Sequence, residues 1–310
     1  MTQRDPASIP VLSLDLIRAD SEVVRQCDWI DQRAALPFTD DLEQSAESYL
    51  PDEGLLVAVN MAVALGVPLL ITGEPGCGKT QLAYWIAFKL DLGTPIRYQV
   101  KSTSKASELL YDYDTVAYFS AAYEKSSDQQ PLDRARFLRR GPLWQALESD
   151  RPRVVLIDEI DKAPRDFPND LLRELAEAGF DVPETGQHVE GDRRVRPIVV
   201  ITSNSERPLP APFLRRCIYR HLELDPATIR RVVTMRRREF PGLSDDFLRL
   251  AVERFLELRK KNLRRKPGTS ELLVWLRVLE LAGEERLGRL EGLPYAGALL
   301  KDHHDLGDLG

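Results

Sequence analysis

The chain has 310 residues, of which 43% are hydrophobic and 30% charged; this excludes wholesale disorder, collagen-like repeats and a coiled-coil rod, and leaves room for two packed domains. Its 43 Lys plus Arg against 49 Asp plus Glu give a formal net charge of −6. That charge is unevenly placed, since residues 1–54 hold 12 acidic and 4 basic side chains and residues 225–270 hold 13 basic and 6 acidic ones.

After the acidic first segment, residues 55–65 read as a buried helix stopped by Gly66, and residues 67–72 as an all-apolar strand. A glycine-rich loop follows. From Lys79 to Leu90, Leu82, Ile86, Ala87 and Leu90 share one helical face. Residues 97–100 form a candidate strand, Pro142 opens a helix to Leu147, and the run Val154, Val155, Leu156, Ile157 reads as a strand covered on both faces. A second proline-initiated helix spans residues 168–178, and strands at 180–182 and 188–196 flank the turn residues Pro183 and Gly186. An apolar strand at 198–202 and a last strand at 217–224 complete the pattern. Strands alternating with helices predict an α/β fold, an αβα sandwich around a five-stranded parallel sheet. Beyond Asp225-Pro226 only helices are expected, at 229–238, 245–260 and 270–282, so an all-α second domain follows. The resulting division is an acidic N-terminal segment (1–50), a core (51–224) with an insert at about 105–140 and a hairpin at about 180–196, a helical lid (225–300) and a flexible tail (301–310). There is no internal repeat.

The apolar stretch at 55–71 is broken by Asn60, Gly66 and Pro68 and falls short of the about 18 to 20 unbroken apolar residues of a membrane span. Charged residues from Arg4 to Asp20 interrupt any signal peptide, and Cys27, Cys77 and Cys217 have no metal-ligand or disulfide spacing. No membrane association and a reducing, cytoplasmic setting are the expectation.

The chemistry begins at Gly73-Glu74-Pro75-Gly76-Cys77-Gly78-Lys79-Thr80, which fits G-x-x-x-x-G-K-[ST] with a strand before it and a helix after it. Glycines there let backbone N–H groups turn inward around phosphate oxygens, and the helix N-terminus adds partial positive charge. Lys79 would reach the β- and γ-phosphates of ATP, and Thr80 would ligate Mg2+. Asp158 and Glu159 follow four apolar strand residues; Asp158 would hold Mg2+ through water and Glu159 would polarise the attacking water. Two successive acids point to hydrolysis, and the Asn-Lys-x-Asp segment of a guanine site is lacking. Asn204 ends the strand at 198–202 and either caps it or hydrogen-bonds the attacking water or γ-phosphate. Arg215-Arg216, beyond Pro212-Phe213-Leu214, is either surface charge or a pair placed to reach a neighbouring subunit's nucleotide.

In this order the elements resemble AAA+ ATPases and, within them, the MoxR family, over residues 50–282. The resemblance rests on the loop at 73–80, the segment VVLIDEIDKAP at 154–164, the hairpin, and TSNSERPLPAPFLRRC at 202–217. It implies the P-loop NTPase fold, with Asp158 and Glu159 as the Walker B pair, Asn204 as sensor 1, and Arg216 as the arginine finger with Arg215 the alternate. It also implies a homo-oligomeric, usually hexameric ring that remodels a protein client, with a von Willebrand factor A domain protein as partner. Two features depart from the family. Asp161-Lys162 stands where relatives commonly have Asn-Arg, and the lid lacks the sensor 2 arginine near Glu271, for which Arg277 is the substitute on offer.

Tyr111, Tyr113, Tyr118 and Tyr123 fall in the insert, either packing on the core or projecting to grip a client. The basic lid admits a nucleic-acid partner, as in a DNA-dependent motor or loader, but contact with a neighbour's acidic face is the favoured reading. A third reading is a nucleotide-gated scaffold. Cys77, at a helix start, is expected either to have a lowered pKa or to be an inert filler.

Overall fold

The computed structural model describes residues 42–43, 46–47, 49–124, 132–176, 179–192, 195–288, 290 and 292–307. Most of the acidic segment, Cys27, the end of the helix expected at 168–178, and the last three residues of the tail lie outside these. The chain divides into two compact units, one from Leu42 to Glu223 and one beginning at Leu224.

In the first unit, α1 (Glu53–Leu65) starts where the Asp52 side chain accepts from Leu55 N at 2.7 Å, and it ends at Gly66 in the left-handed conformation. Strand β1 (Leu69–Gly73), helix α2 (Lys79–Lys89) and edge strand β2 (Ile96–Gln99) follow. The insert contributes β3 (Tyr111–Tyr113), α3 (Thr115–Glu124) and β4 (Leu138–Arg140). Next come α4 (Pro142–Leu147), with proline in its first turn, β5 (Val154–Asp158) and α5 (Phe167–Ala176). The hairpin β6 (Gly179–Val182) and β7 (Gln187–Glu190), then β8 (Ile198–Ser203), α6 (Ala211–Leu214) and β9 (Ile218–Leu222) complete it.

The sheet is five-stranded and all parallel in the order β2-β5-β8-β1-β9, as the alternating pattern predicts. Strand periodicity sorts the core into two layers. Leu70, Val155, Ile157, Val199 and Ile201 pack with Trp144, Leu171 and Phe213 on one side; Leu69, Ile71, Val154, Leu156 and Val200 pack with α1 and α2 on the other. Helices therefore cover both faces, which explains why β1 and β5 are buried at every position.

The strand expected at 188–196 stops at Glu190, because its partner β6 has only four residues and Gly179↔Glu190 is the last pair. Tyr111 is a packing residue: its ring stacks on Phe180 and meets Trp144 edge-on, each at 6.1 Å, and its hydroxyl donates to Glu184 at 3.0 Å. It thereby ties the insert to the hairpin. Tyr113 and Tyr118 pack on each other, and Tyr118 on Phe137. Tyr123 is 87% exposed, with Val116 and Phe119 also exposed on α3.

The second unit contains α7 (Pro226–Met235), α8 (Asp245–Lys260), α9 (Thr269–Ala282), the short α10 (Glu284–Leu287) and α11 (His303–Gly307). Helix α7 begins three residues before the expected 229, because Asp225 caps it by accepting from Thr228 N at 2.6 Å and Pro226 takes the first turn. Ile229, Val233, Phe247, Phe255, Trp275 and Leu276 are buried in this unit. Within the segment expected as a tail at 301–310, α11 carries Asp305, which is buried and accepts the backbone N–H groups of Arg264 and Arg265 at 3.0 and 3.2 Å. Among the described residues no helix is long and apolar enough to cross a membrane.

Candidate nucleotide site

The loop at 73–80 joins the C-terminal end of β1 to the N-terminus of α2. Glycine is required at both of its ends. A Cβ on Gly73 would lie 2.5 Å from the Leu222 carbonyl oxygen on β9, and Gly78 has φ +92° with the Tyr49 ring 3.0 Å from where its Cβ would be. Lys79, only 7% exposed, donates from Nζ to the carbonyl oxygens of Gly73 and Glu74 at 2.8 and 2.9 Å. Its ammonium therefore lies against the loop backbone.

Parallel pairing sets the carboxylates beside this loop. Strand β8 lies between β1 and β5, and Asp158 ends β5. Thr80 Oγ1 donates to Asp158 Oδ1 at 3.1 Å, Thr202 Oγ1 to the same oxygen at 2.5 Å, and Arg97 Nη2 to Oδ2 at 2.7 Å. Glu159 follows in the left-handed region at φ +62°, a conformation that costs a non-glycine residue of order 1 kcal/mol. Its own N–H is held by Thr202 Oγ1 at 2.9 Å. Its carboxylate accepts from Asn204 Nδ2 at 3.2 Å, and from Gln99 Nε2 and Lys162 Nζ at 2.5 Å each. Hydrogen bonding to Glu159 raises the Lys162 ammonium above its ordinary range.

Thr80, Asp158, Glu159 and Asn204 thus meet in one hydrogen-bonded cluster beside the loop. Arg215 and Arg216 do not join it. Phe213, fully buried, anchors α6 in the core, and the two arginines beyond it are exposed, with no ion pair among the described residues. Arg277 is taken up within the second unit by Glu280 and the Glu239 carbonyl. The thiol of Cys77 is corrected from the lowered pKa entertained above: burial pushes it up and outweighs the nearby Lys79 ammonium. Burial also pushes Cys217 up, to about 12.

Three contributors escape the motif reading. Asp161, 3% exposed, accepts from Asn204 N at 3.2 Å and Glu206 N at 3.0 Å, so it fixes the loop that carries Asn204. Thr202 bridges the Asp158 side chain and the Glu159 backbone, and Arg97 pairs with Asp158 from the neighbouring strand. A hydroxyl closing the otherwise aliphatic run 198–201 was the one available signal for Thr202.

The hydroxyl of Thr80 and carboxylate of Asp158 form an all-oxygen donor pair of the kind that holds a hard ion such as Mg2+, which keeps most of its shell as water and phosphate oxygens. Fold and site together define the AAA class of P-loop ATPases, built to bind a nucleotide. Residues 68–232, more than half of the chain, match the AAA domain of the dynein-related subfamily, and the chain belongs to that family. A search of curated proteins finds no match.

Proposed function

We propose that this protein hydrolyses ATP to ADP and phosphate as a MoxR-like AAA+ ring and uses the cycle to remodel a protein client. The observation that carries the reading is the placement of the Glu159 carboxylate, hydrogen-bonded to Asn204 at 3.2 Å and adjacent to the Thr80–Asp158 pair. Lys79 would neutralise charge on the β- and γ-phosphates, Glu159 would take the proton of the attacking water, and Asn204 would orient that water. Mg2+ held through Thr80 and Asp158 would offset charge on the departing ADP oxygen. Arg216, or Arg215 in its place, is free to complete a neighbour's site, which is why a hexameric ring is part of the proposal. A von Willebrand factor A domain protein is the proposed partner on the MoxR resemblance alone.

The ion pairs of the basic lid favour protein over DNA. Arg230, Arg236, Arg237, Arg249 and Arg254 each face a carboxylate of the same unit, which leaves fewer cations to displace counterions from phosphates.

The test is ATP hydrolysis by the unsubstituted chain and by Glu159→Gln across protein concentration, with particle mass recorded in the same samples. Hydrolysis that rises with assembly and is lost in Glu159→Gln, while ATP still binds, is expected. Hydrolysis indifferent to assembly or to the substitution refutes the shared-site ring.

A further inference from the structure

Asp158 has more partners than its assigned role needs. Two of them, Thr80 and Thr202, are neutral hydroxyls; the third is the Arg97 guanidinium, 2.7 Å from Oδ2. The pair is lopsided, with side-chain exposures of 42% for Arg97 and 4% for Asp158. That difference follows from the sheet, in which β2 is an edge strand beside the fully buried β5. Arg97 Nη2 also donates to Gln99 Oε1 at 2.8 Å, so the guanidinium is anchored on its own strand.

We infer that Arg97 and a divalent cation are alternative partners of Asp158, and that exchange between them sets the metal affinity of the site. The inference rests on the nucleotide-site reading above. A nearly buried carboxylate cannot stand unpaired without a large desolvation penalty, and two threonine hydroxyls do not neutralise it. One cation meets that need. A second, brought to the same carboxylate, is repelled even with one water between. Arg97 can leave easily, because its half-exposed side chain regains water when the pair opens. Metal entry must open the pair, so the apparent dissociation constant exceeds the intrinsic one by the factor in which the paired form outweighs the open one.

The experiment uses the full chain with ADP and Mn2+, a spin probe for the magnesium position. Mn2+ affinity is read by electron paramagnetic resonance at saturating ADP, and melting temperature is read with and without Mn2+ and ADP. Arg97→Gln is expected to tighten Mn2+ binding about two- to fivefold, the upper part of the range of a half-exposed ion pair. It should also lower the melting temperature of the metal-free protein while leaving the Mn2+·ADP form near the unsubstituted value. Arg97→Lys, which keeps the charge, should stay within about twofold of the unsubstituted affinity. Unchanged or weaker Mn2+ binding in Arg97→Gln overturns the inference, as does equal loss of melting temperature in both forms, or Arg97→Lys behaving as Arg97→Gln. Failure of the unsubstituted chain to bind ADP overturns the site reading along with it, and so separates that failure from the others.

Discussion

Asp161 offers a sharp test, since it touches no reacting group and yet positions one. Replacing it with alanine removes the acceptors of the Asn204 and Glu206 N–H groups. Hydrogen bonds to a charged acceptor are worth about 1.5–3 kcal/mol each. Both amides are only part-buried and regain some water, so the lower figure applies, and Asp161→Ala should cost about 3 kcal/mol. For a unit of this size that lowers the melting temperature by roughly 6–12 °C. Asp161→Asn keeps one neutral acceptor oxygen and should lose about half as much. Because the freed loop carries Asn204, a displacement of about 1 Å should lower kcat on the order of 100-fold, with nucleotide binding retained. The assays are thermal unfolding, fluorescent-nucleotide binding and phosphate release. A change within about 0.5 kcal/mol, the range of an ordinary surface substitution, refutes the reasoning. So does a full stability loss with kcat unchanged.

Mixing Glu159→Gln with Arg216→Ala, each inactive alone, should restore part of the ATPase activity, because some sites in a mixed ring pair an intact Glu159 with an intact Arg216; no recovery at any ratio argues against shared sites. Burial first, and then the Glu108 and Glu184 carboxylates, push the Tyr98 and Tyr111 hydroxyls from 10.0 up to about 12. Their contribution to stability is therefore complete below pH 10 and lost as pH rises toward 12, so Tyr98→Phe and Tyr111→Phe should each flatten the alkaline limb of the unfolding curve. Raised by burial, the thiols of Cys77 and Cys217 should react with iodoacetamide at pH 7.5 more slowly than a free cysteine in a Cys27→Ser background, as read by peptide mass spectrometry. Asp305→Ala should lower the melting temperature of the second unit by unpairing two backbone amides, and should leave the first unit's transition in place.

The parts of this molecule legible in its sequence are those written in local pattern. Proline at 142, glycine at 66 and the aliphatic runs at 69–71 and 154–157 act within a few residues of themselves, and the elements they mark appear in place. The phosphate loop is legible for the same reason, since its glycines and lysine are contiguous. What was hidden depends on register between distant strands. Arg97 reaches Asp158 only because β2 pairs with β5 so that Gln99 stands opposite Asp158, and nothing near residue 97 announces that partner. Asp161 stands out in the sequence only as a departure from the Asn-Arg of relatives, although its side chain turns inward to hold a loop 43 residues further on. Cys77 misled in another way, since the field of a helix start argues for a thiolate while burial, which a sequence does not display, argues more strongly against it.

The strand order also fixes a timetable. Strand β1 emerges early in synthesis, but its neighbours β8 and β9, paired with Leu69 at Val200 and Ile218, lie roughly 130 and 150 residues downstream. At about 5–20 residues per second the phosphate-loop strand waits on the order of ten seconds for them. Strand β5 also lacks its inner neighbour until β8 arrives. From the time it is made until β8 arrives, each of these aliphatic strands carries an unpaired edge of the kind that draws other chains, so a nascent chain stalled before residue 198 is an aggregation hazard. Nucleotide cannot rescue it, because the strands that brace its binding loop have not yet been made.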